Sequence, residues 1–349
     1  MNLPGIVILG CGNVGNDIVS EIHRARLTGA ETVLVNTDLQ HLKISPADKR
    51  ISIGKALKGG LGAGGCSIMG RRAIEYGIPV INTVIESTDL VFLAAGLGGG
   101  TGTGALPLIA EYARDNGSLV ICFATLPSDN ERYQWTTAMS GLKELLKYAD
   151  SVIILDHRKI ACQYPHLSTA EIYRKMDRMI IDTIRQMTIL LTEPSLITID
   201  FADLRVIFKD KGTALLLAGE SEEGISNKNE SVLQNSLAHP SMDTIITGAS
   251  GCVICINGGS DINLFESEDI ATAVSSTLDS HADVVWGLHV TREMEGKVRV
   301  LAVVTGLKED VDEFFSESLR NGSNVVPKPL DFQKRNDEGV MEWLEEHRR

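Results

Sequence analysis

The sequence lacks an apolar run long enough to cross a membrane. None of its hydrophobic segments approaches the roughly 18 residues that a membrane-spanning helix requires. The opening residues, MNLPGIVILG, also lack the basic segment and the small-residue cleavage site of a secretory signal. We therefore expect a cytoplasmic protein with no direct insertion into a membrane.

Basic residues are scarce as well. The 349 residues include 33 lysines and arginines against 46 aspartates and glutamates, which gives a formal net charge of −13. This balance argues against nucleic acid or an anionic membrane surface as the main partner, because both select basic patches. A nucleotide is compatible with the charge, since backbone amides and a cation can hold its phosphates.

The cysteines lack the spacing of a disulfide framework or a complete metal site. Six thiols are scattered along the chain, which is typical of reduced cysteines in a cytoplasmic protein. Cys252 and Cys255 form a CxxC pair, but they lie in GCVICING, an apolar segment typical of a strand. Residues three apart on a strand point to opposite faces, so we predict two core residues rather than a zinc site.

What the sequence does contain is a regular alternation of short apolar runs and amphipathic segments. Runs such as GIVIL, DLVFLAA and SLVICFATL are typical of buried strands, and helix-like segments separate them. Apolar strands joined by helices predict an α/β fold built on a parallel sheet that is covered on both faces. In such a sheet the carboxyl ends of the strands, and the loops that follow them, meet at one edge.

The pattern divides the chain into four parts. Residues 1–168 carry the parallel-sheet pattern, and residues 169–194 form the longest helical pattern. Residues 195–308 indicate a second, smaller α/β domain, and residues 309–349 form a polar tail. We expect this tail to be a short helix or partly disordered.

Three glycine-rich loops follow strands at the predicted edge. They occupy residues 10–15, 59–65 and 96–104, the last with the sequence GLGGGTGTG. Glycine lets a backbone approach a phosphate closely, and helix N-termini present free amides to an anion. None of the loops contains a lysine, so we assign charge neutralisation to amides, helix dipoles and Mg²⁺. The Mg²⁺ is expected to be held through the phosphates, with no direct protein ligand.

Two alternative roles for the glycine loops stay open on these residues. GCGNVG fits the GxGxxG dinucleotide motif, and Asp38 ends the second strand as a ribose-binding acid would, which suggests an NAD-dependent oxidoreductase. That function leaves GLGGGTGTG unexplained. The glycines could also form tight turns and nothing more. The lysine-containing GxxxxGK[ST] motif of ordinary P-loop NTPases is absent.

The segment GGGTGTG at 98–104 is the signature of the tubulin superfamily. Further segments match in order along the chain: GCGNVGN, VNTD, GGLGAG, TIDFADL, SGCVICINGGSDINLFE and VRVLAVVTG. Over residues 5–308 the sequence resembles the FtsZ family, the prokaryotic cell-division GTPases of this superfamily. We interpret it as a somewhat divergent protein of FtsZ type.

The resemblance implies a tubulin/FtsZ fold and a way of working. Residues 1–168 would be the GTP-binding domain, 169–194 the central helix and 195–308 the activation domain. GTP and GDP, with Mg²⁺, would be the ligands, and copies of the chain would assemble head to tail into protofilaments. Hydrolysis would occur at the subunit junction, and the tail would bind membrane-tethering or division proteins. The expected location is the division site at midcell.

The resemblance also implies a set of nucleotide-binding residues. Tyr173 stands where the family stacks an aromatic ring on guanine, and Asp177 stands where it reads the base edge. A carboxylate there would accept from the N1–H and N2–H donors of guanine and reject adenine. Glu131 and Arg132 match ribose and phosphate ligands. The phosphate-binding positions correspond to Gly12, Asn16, Ala63, Gly64, Gly65, Gly98, Gly99, Gly100, Thr101 and Gly102. From the residues alone, Tyr173 could equally be a core residue and Asp177 a solvated charge.

Two further acids, Asp200 and Asp203, match the catalytic pair of the family. From the residues alone, Asp200 suits a helix N-cap and Asp203 the third helical position, where the helix dipole favours an acid. The resemblance implies that the pair from a neighbouring subunit orients or deprotonates the attacking water. The two roles are compatible, because a fixed helix start holds the carboxylates in register.

The chain departs from the family pattern at several points. Thr198 stands where asparagine is usual, LDHRK at 155–159 replaces a proline–asparagine–aspartate turn, and LPSDNERYQW is shorter than its counterpart. The third phosphate loop ends GGCS, and neither the family's N-terminal helix nor its apolar tail motif is found. These differences keep open a GTP-binding paralogue with a structural or regulatory role outside the division ring.

Overall fold

The computed structural model describes residues 3–54, 60–128, 131–221, 231–232 and 249–307. The strands in these ranges are β1 (Ile6–Cys11), β2 (Ala30–Asn36), β3 (Lys49–Ser52), β4 (Leu90–Gly96), β5 (Leu119–Leu126), β6 (Ser151–Asp156), β7 (Gly212–Glu220), β8 (Gly251–Gly258), β9 (Asp283–Val290) and β10 (Val298–Thr305). The helices are α1 (Gly12–Arg24), α2 (Leu39–Ile44), α3 (Ser67–Ile85), α4 (Gly100–Asp115), α5 (Arg132–Tyr148), α6 (His157–Gln163), α7 (Thr169–Thr192), α8 (Phe201–Phe208) and α9 (Leu264–Ser275). The polar tail expected at 309–349 lies outside the described residues.

All ten strands belong to one sheet, in the order β3-β2-β1-β4-β5-β6-β7-β10-β8-β9. Strands β1 to β6 are all parallel, which confirms the predicted parallel sheet. Strand β10 runs antiparallel to both of its neighbours, β7 and β8. A short parallel pairing of β6 with β7, from Ser151 to Ile153, joins the two regions. The division of the chain at residue 195 stays a prediction.

Alternate residues of the parallel strands enter two separate apolar layers. Ile6 and Ile8 pack on one face of the sheet with α1, α7 and α8, whereas Val7 and Leu9 pack on the other face with α3, α4 and α5. Cys252 and Cys255 likewise fall into different core clusters, and both are buried. The prediction that they face opposite sides of a strand is therefore confirmed.

Two helices begin or end differently from what the sequence pattern suggests. The helix-like segment CSIMGRRAIEYG ends at Gly77, whereas α3 has 19 residues and continues through Pro79 to Ile85. Pro79 is exposed, so water can satisfy the carbonyl that the missing N–H leaves unpaired. The sequence pattern of α4 starts at Leu106, whereas the helix starts at Gly100 and includes the glycines of GTGTG. The third glycine loop is thus partly the first turn of a helix.

The central helix matches its prediction most closely. It begins at Thr169 behind a capping box, in which the Ser168 hydroxyl accepts from the Glu171 amide and the Glu171 carboxylate accepts from the Ser168 amide. It ends at Thr192, just before Pro194. Its buried face, which includes Ile180 and Ile184, packs on the sheet. This helix therefore runs as one continuous element from the loop edge towards the second half of the sheet.

Candidate functional site

The carboxyl ends of β1, β4 and β5 and the loops around them enclose a cleft of about 560 Å³. Most of the residues expected to bind nucleotide line it: Gly12, Ala63, Gly64, Gly65, Gly99, Gly100, Thr101, Gly102, Glu131, Tyr173 and Asp177. Asn16, Gly98, Asp200 and Asp203 are not among the lining residues. The edge of the sheet where the loops were expected to meet therefore carries a cleft.

The glycines of the cleft leave space that side chains would fill. Gly64 and Gly65 have φ angles of 58° and 76°, in the left-handed region that disfavours other residues. A Cβ atom at either position, or at Gly99, would meet nothing within 4 Å, so it would point into open space. Gly12 is different, because its Cβ would lie 3.1 Å from the amide nitrogen of Gly102. The first and third loops thus touch through their backbones.

Helix N-termini at the cleft share an unusual property. Four of the described helices, α1, α3, α4 and α5, have no side-chain hydrogen bond at the N-cap. All four begin at or next to residues that line the cleft. The other described helices have side-chain caps. Uncapped first turns leave amide donors unsatisfied and carry the positive end of the helix dipole. These amides and the open glycine positions fit a ligand with several phosphate groups.

Two threonines of the third loop shape the backbone around the cleft. The hydroxyl of Thr101 hydrogen-bonds that of Thr37 at 2.6 Å, and both residues are buried. The amide of Gly98 donates to Thr103 Oγ1 at 2.8 Å. That amide is therefore engaged within the loop, which gives Gly98 a role in its shape. Its φ of 107° also requires glycine.

Asn16 supports the first loop through the hydrogen bonds of its side chain. It is fully buried, and its amide group, oriented to match its neighbours, donates to the carbonyls of Gly10 and Gly12 and accepts from Asn36. Asn36 in turn donates to Asn13. Asn13 and Asn36 line the cleft, and sequence reasoning did not single them out. The motifs GCGNVGN and VNTD that contain them were the available signal.

The wide end of the cleft carries Tyr173 and Asp177, one helical turn apart on α7. The Tyr173 hydroxyl donates to Glu131 Oε2 at 2.7 Å and accepts from the Ser128 amide at 3.1 Å. Burial raises the pKa of Asp177 to about 6, and the neighbouring carboxylate of Asp17 adds to the rise. Neither residue is a plain core residue or a fully solvated charge, because both line the cleft.

Glu131 lies where β5 leads into α5. Partial burial would by itself raise the pKa of Glu131, but hydrogen bonds from Tyr173 and Ser128 outweigh that effect and hold the pKa below its usual range. Glu131 is therefore ionised at neutral pH. Arg132 is the first residue of α5, and its side chain lies outside the described part of the structure.

Asp200 and Asp203 lie far from this cleft. Asp200 caps α8 by accepting from the Ala202 amide at 2.9 Å, and Asp203 is exposed in the first turn. The same helix bonds to the opposite edge of the sheet: Arg205 donates to the Gly117 carbonyl, and Ser151 donates to the Phe208 carbonyl. Strand β5 starts near this edge and ends at the cleft, and its eight residues span about 26 Å. The acids and the cleft of one chain do not meet.

Asp38 has a local role that differs from ribose binding. Its carboxylate accepts from the amides of Gln40 and His41 and caps α2. The same oxygen would otherwise be the ribose ligand in a dinucleotide site.

A parallel sheet with uncapped helices and glycine loops at its carboxyl edge defines a protein that binds nucleotide phosphates through its backbone.

Two family models match the chain. The one described as Tubulin/FtsZ family, GTPase domain, matches residues 5–164, and the one described as FtsZ family, C-terminal domain, matches residues 212–308. The chain therefore belongs to the FtsZ family of the tubulin superfamily, and it is a GTPase. The resemblance seen in the sequence is confirmed, and neither the oxidoreductase nor the non-division paralogue is favoured.

Individual relatives agree with the family models. The chain is 41% identical over 305 residues to cell division protein FtsZ 2 of Halobacterium salinarum, covering 87% of this chain and 77% of that protein. It is 39% identical over 306 residues to FtsZ 2 of Methanocaldococcus jannaschii, covering 87% and 80%. A solved FtsZ dimer of M. jannaschii matches with a TM-score of 0.82 at 35% identity, covering 88% of this chain and 89% of that one.

A more distant structure shows the fold alone. CetZ2 from Haloferax volcanii, solved as a GTPγS-bound protofilament, matches with a TM-score of 0.71 at 21% identity. The match covers 91% of this chain and 98% of that one.

In the part of the chain that the structure describes, no helix is both long and apolar enough to span a membrane.

Proposed function

We propose that this GTPase hydrolyses its nucleotide at the junction between two copies assembled head to tail. The observation that carries the proposal is the separation of its two functional parts. The cleft opens at the carboxyl edge of the sheet, whereas Asp200 and Asp203 stand on a helix bonded to the opposite edge. Stacking one copy on the next in the same orientation would bring the acids of one to the cleft of the other.

Exposed apolar side chains at both ends support this stacking. Leu61 and Val14 line the cleft and are exposed, Leu61 to 79% of its surface. At the other end, Leu196 and Val206 flank the two acids and are also exposed. Apolar surface of this kind is typical of a surface that another protein covers. The GTPγS-bound protofilament of CetZ2 provides a structural parallel for such an assembly.

The chemistry follows from how each acid is held. Asp200 is fixed by its bond to the Ala202 amide, so it would hold the water in place. Asp203 is exposed and would accept the proton or orient the water towards the γ-phosphate. The uncapped amides at the cleft would stabilise the negative charge that develops on the phosphate oxygens. Mg²⁺, held through the phosphates, would neutralise further charge.

The base end and the tail complete the proposal. Tyr173 would stack on guanine, and ionised Asp177 would accept from its N1–H and N2–H donors, while Glu131 and Arg132 would bind ribose and phosphate.

The tail at 309–349 would bind division or membrane-tethering proteins. The polymer would act in the cytoplasm at the division site, because the relatives are cell division proteins.

The test mixes two inactive variants. Asp203→Ala would bind GTP but supply no acid, and Gly99→Glu would put a carboxylate into the phosphate cradle from a position where a Cβ meets nothing within 4 Å. We expect each variant alone to hydrolyse GTP slowly and the mixture to recover part of the activity. In the wild type, the GTP turnover per molecule should rise with protein concentration. Hydrolysis should stop when Mg²⁺ is chelated.

The control is Asp115→Ala, which removes an exposed acid at the same edge of the sheet. Asp115→Ala should keep wild-type activity. Mixed with Gly99→Glu, it should restore no more GTP hydrolysis than the wild type restores in the same mixture. If the mixture of the two inactive variants stays inactive although both form polymer, or if wild-type turnover per molecule is independent of concentration, hydrolysis occurs within one chain and the proposal is wrong.

A further inference from the structure

We propose that the Tyr173 hydroxyl and Ser128 are positioning groups that orient Glu131 towards the nucleotide sugar and make the site select an intact ribose over a deoxy sugar. The inference rests on the proposed assignment of Glu131 to the ribose and adds to it. It concerns two groups that the sequence motifs do not assign: the phenolic oxygen of Tyr173, as distinct from its ring, and the hydroxyl of Ser128.

One oxygen of Glu131 is saturated by protein donors. Oε2 accepts from the Tyr173 hydroxyl at 2.7 Å, from the Ser128 amide at 3.0 Å and from the Ser128 hydroxyl at 3.0 Å. Three donors on a single oxygen fix the rotation of the carboxylate. The Glu131 amide also donates to the Ser128 carbonyl at 3.0 Å, which holds the two residues together.

The second oxygen of Glu131, Oε1, differs from Oε2 in its hydrogen bonds. Among the residues that the structure describes, none donates a hydrogen bond to Glu131 Oε1. A carboxylate can accept about four hydrogen bonds, and the described residues fill only the positions on Oε2. Glu131 lines the cleft, and its lowered pKa keeps it ionised. An ionised oxygen that accepts from no described residue is suited to a hydroxyl donor of the ligand, and the sugar hydroxyls are the donors nearest the base in a nucleotide.

The Tyr173 ring is held in place independently. It packs against the buried ring of His157, with centroids 4.6 Å apart and planes at 47°. Tyr173 is only partly buried, and it lines the cleft where the base would bind. Because the same side chain bonds to Glu131, the surface that would contact the base and the oxygen that would contact the sugar are fixed relative to each other. A phenylalanine would keep the first function and lose the second.

The test compares ligands that differ only in a sugar hydroxyl. The affinities of wild type and Tyr173→Phe are measured for GDP, 2′-deoxy-GDP and 3′-deoxy-GDP by calorimetry. A hydrogen bond to a charged group corresponds to roughly tenfold or more in affinity, so the wild type should prefer GDP to at least one deoxy analogue by about that factor. In Tyr173→Phe this preference should fall several-fold, while the affinity for the deoxy analogue changes little. Ser128→Ala should lower the preference less, because the Ser128 amide still donates.

Two controls separate positioning from general damage. Glu131→Gln should lose the preference as Tyr173→Phe does, and Tyr164→Phe, at a tyrosine without a described bond to Glu131, should keep it. If Tyr173→Phe weakens GDP and both deoxy analogues by the same factor, the hydroxyl has a structural role only and the inference is wrong. An unchanged preference also overturns it. Binding of GDP requires no hydrolysis at a junction, so this result is independent of the mixing experiment.

Discussion

Asp177 is the residue at which the cleft should respond to pH. Its pKa is raised to about 6 by burial first and by Asp17 second, and only the ionised form accepts on both oxygens from the N1–H and N2–H donors of guanine. We therefore predict that GDP affinity falls as the pH drops below about 6, approaching tenfold per pH unit. Bound guanine should in turn lower the pKa of Asp177, because it stabilises the carboxylate. Calorimetric titrations between pH 5 and 8 measure both effects.

Asp177→Asn is the matched control for that experiment. The nucleotide phosphate itself ionises near pH 6 and adds its own pH dependence. This contribution is common to both proteins, so the difference between the two profiles isolates the side chain. Asp177→Asn should bind GDP more weakly at pH 8 and show a flatter profile. Parallel profiles for the two proteins would mean that Asp177 does not contact the base.

At the scale of single residues, the sequence identified positions better than roles. The motifs pointed to Asn16 and Gly98, but the structure shows Asn16 supporting the loop carbonyls and the Gly98 amide bonded to Thr103. The bond between Tyr173 and Glu131 joins residues 42 apart in the chain. Such a partnership depends on how β5 and α7 pack, and no local pattern encodes it.

At the scale of elements, the backbones of α3 and α4 approach each other closely where the two helices cross near the cleft. A Cβ at Gly104 would overlap the Ser67 carbonyl oxygen and lie 2.7 Å from the Arg71 amide, and a Cβ at Gly70 would overlap the Gly100 carbonyl. We predict that Gly104→Ala lowers the free energy of unfolding by about 1–3 kcal/mol, the usual range for overpacking. It should also weaken GDP binding, since the start of α3 moves away from the start of α4.

Gly99→Ser provides the comparison for this prediction. It adds a side chain at the N-cap of α4, where nothing lies within 4 Å and serine is a favourable residue. Denaturant unfolding without nucleotide should show no loss of stability for Gly99→Ser and a clear loss for Gly104→Ala. Equal stability of the two variants would show that the helices can separate at no cost.

The elements that the sequence failed to predict share a physical reason. Strand β3 has four residues, and only Ile51 is buried, so it carries no apolar run. It forms because it pairs with β2, which is a long-range contact. Helix α5 starts within a polar segment and has no side-chain cap, so the usual start signal is absent. By contrast, α7 has a capping box and a continuous apolar face, and its bounds follow from the sequence alone.

At the scale of the whole molecule, nucleotide binding should stabilise the fold selectively. A ligand of the folded state at a hundred times its Kd contributes about 2.7 kcal/mol. We predict that GDP raises the melting temperature by about 5 °C and that NAD leaves it unchanged. Differential scanning fluorimetry at equal ligand concentrations measures this. An equal rise with NAD and with GDP would contradict the predicted selectivity of the cleft for guanine nucleotides.

The order of the strands in the sheet could not be predicted from the sequence. Apolar runs predicted nine of the strands in the right places, but their order along the sheet depends on contacts between distant residues. The pairing of β6 with β7 covers three residues, Ser151 to Ile153, and none of them differs in character from its neighbours. Local pattern therefore predicts strands and loops, and the packing of the whole chain decides which strands are adjacent.

The uncapped starts of α1, α3, α4 and α5 have a consequence for hydrogen exchange in the free and the ligand-bound protein. Without a ligand, water is the partner for those first-turn amides, and they should exchange their hydrogens with solvent quickly. One nucleotide in the cleft would shield first turns that belong to four separate crossovers of the sheet. Occupancy would then slow amide exchange at four distant places in the sequence at once, so that one ligand serves as a shared N-terminal cap for four helices.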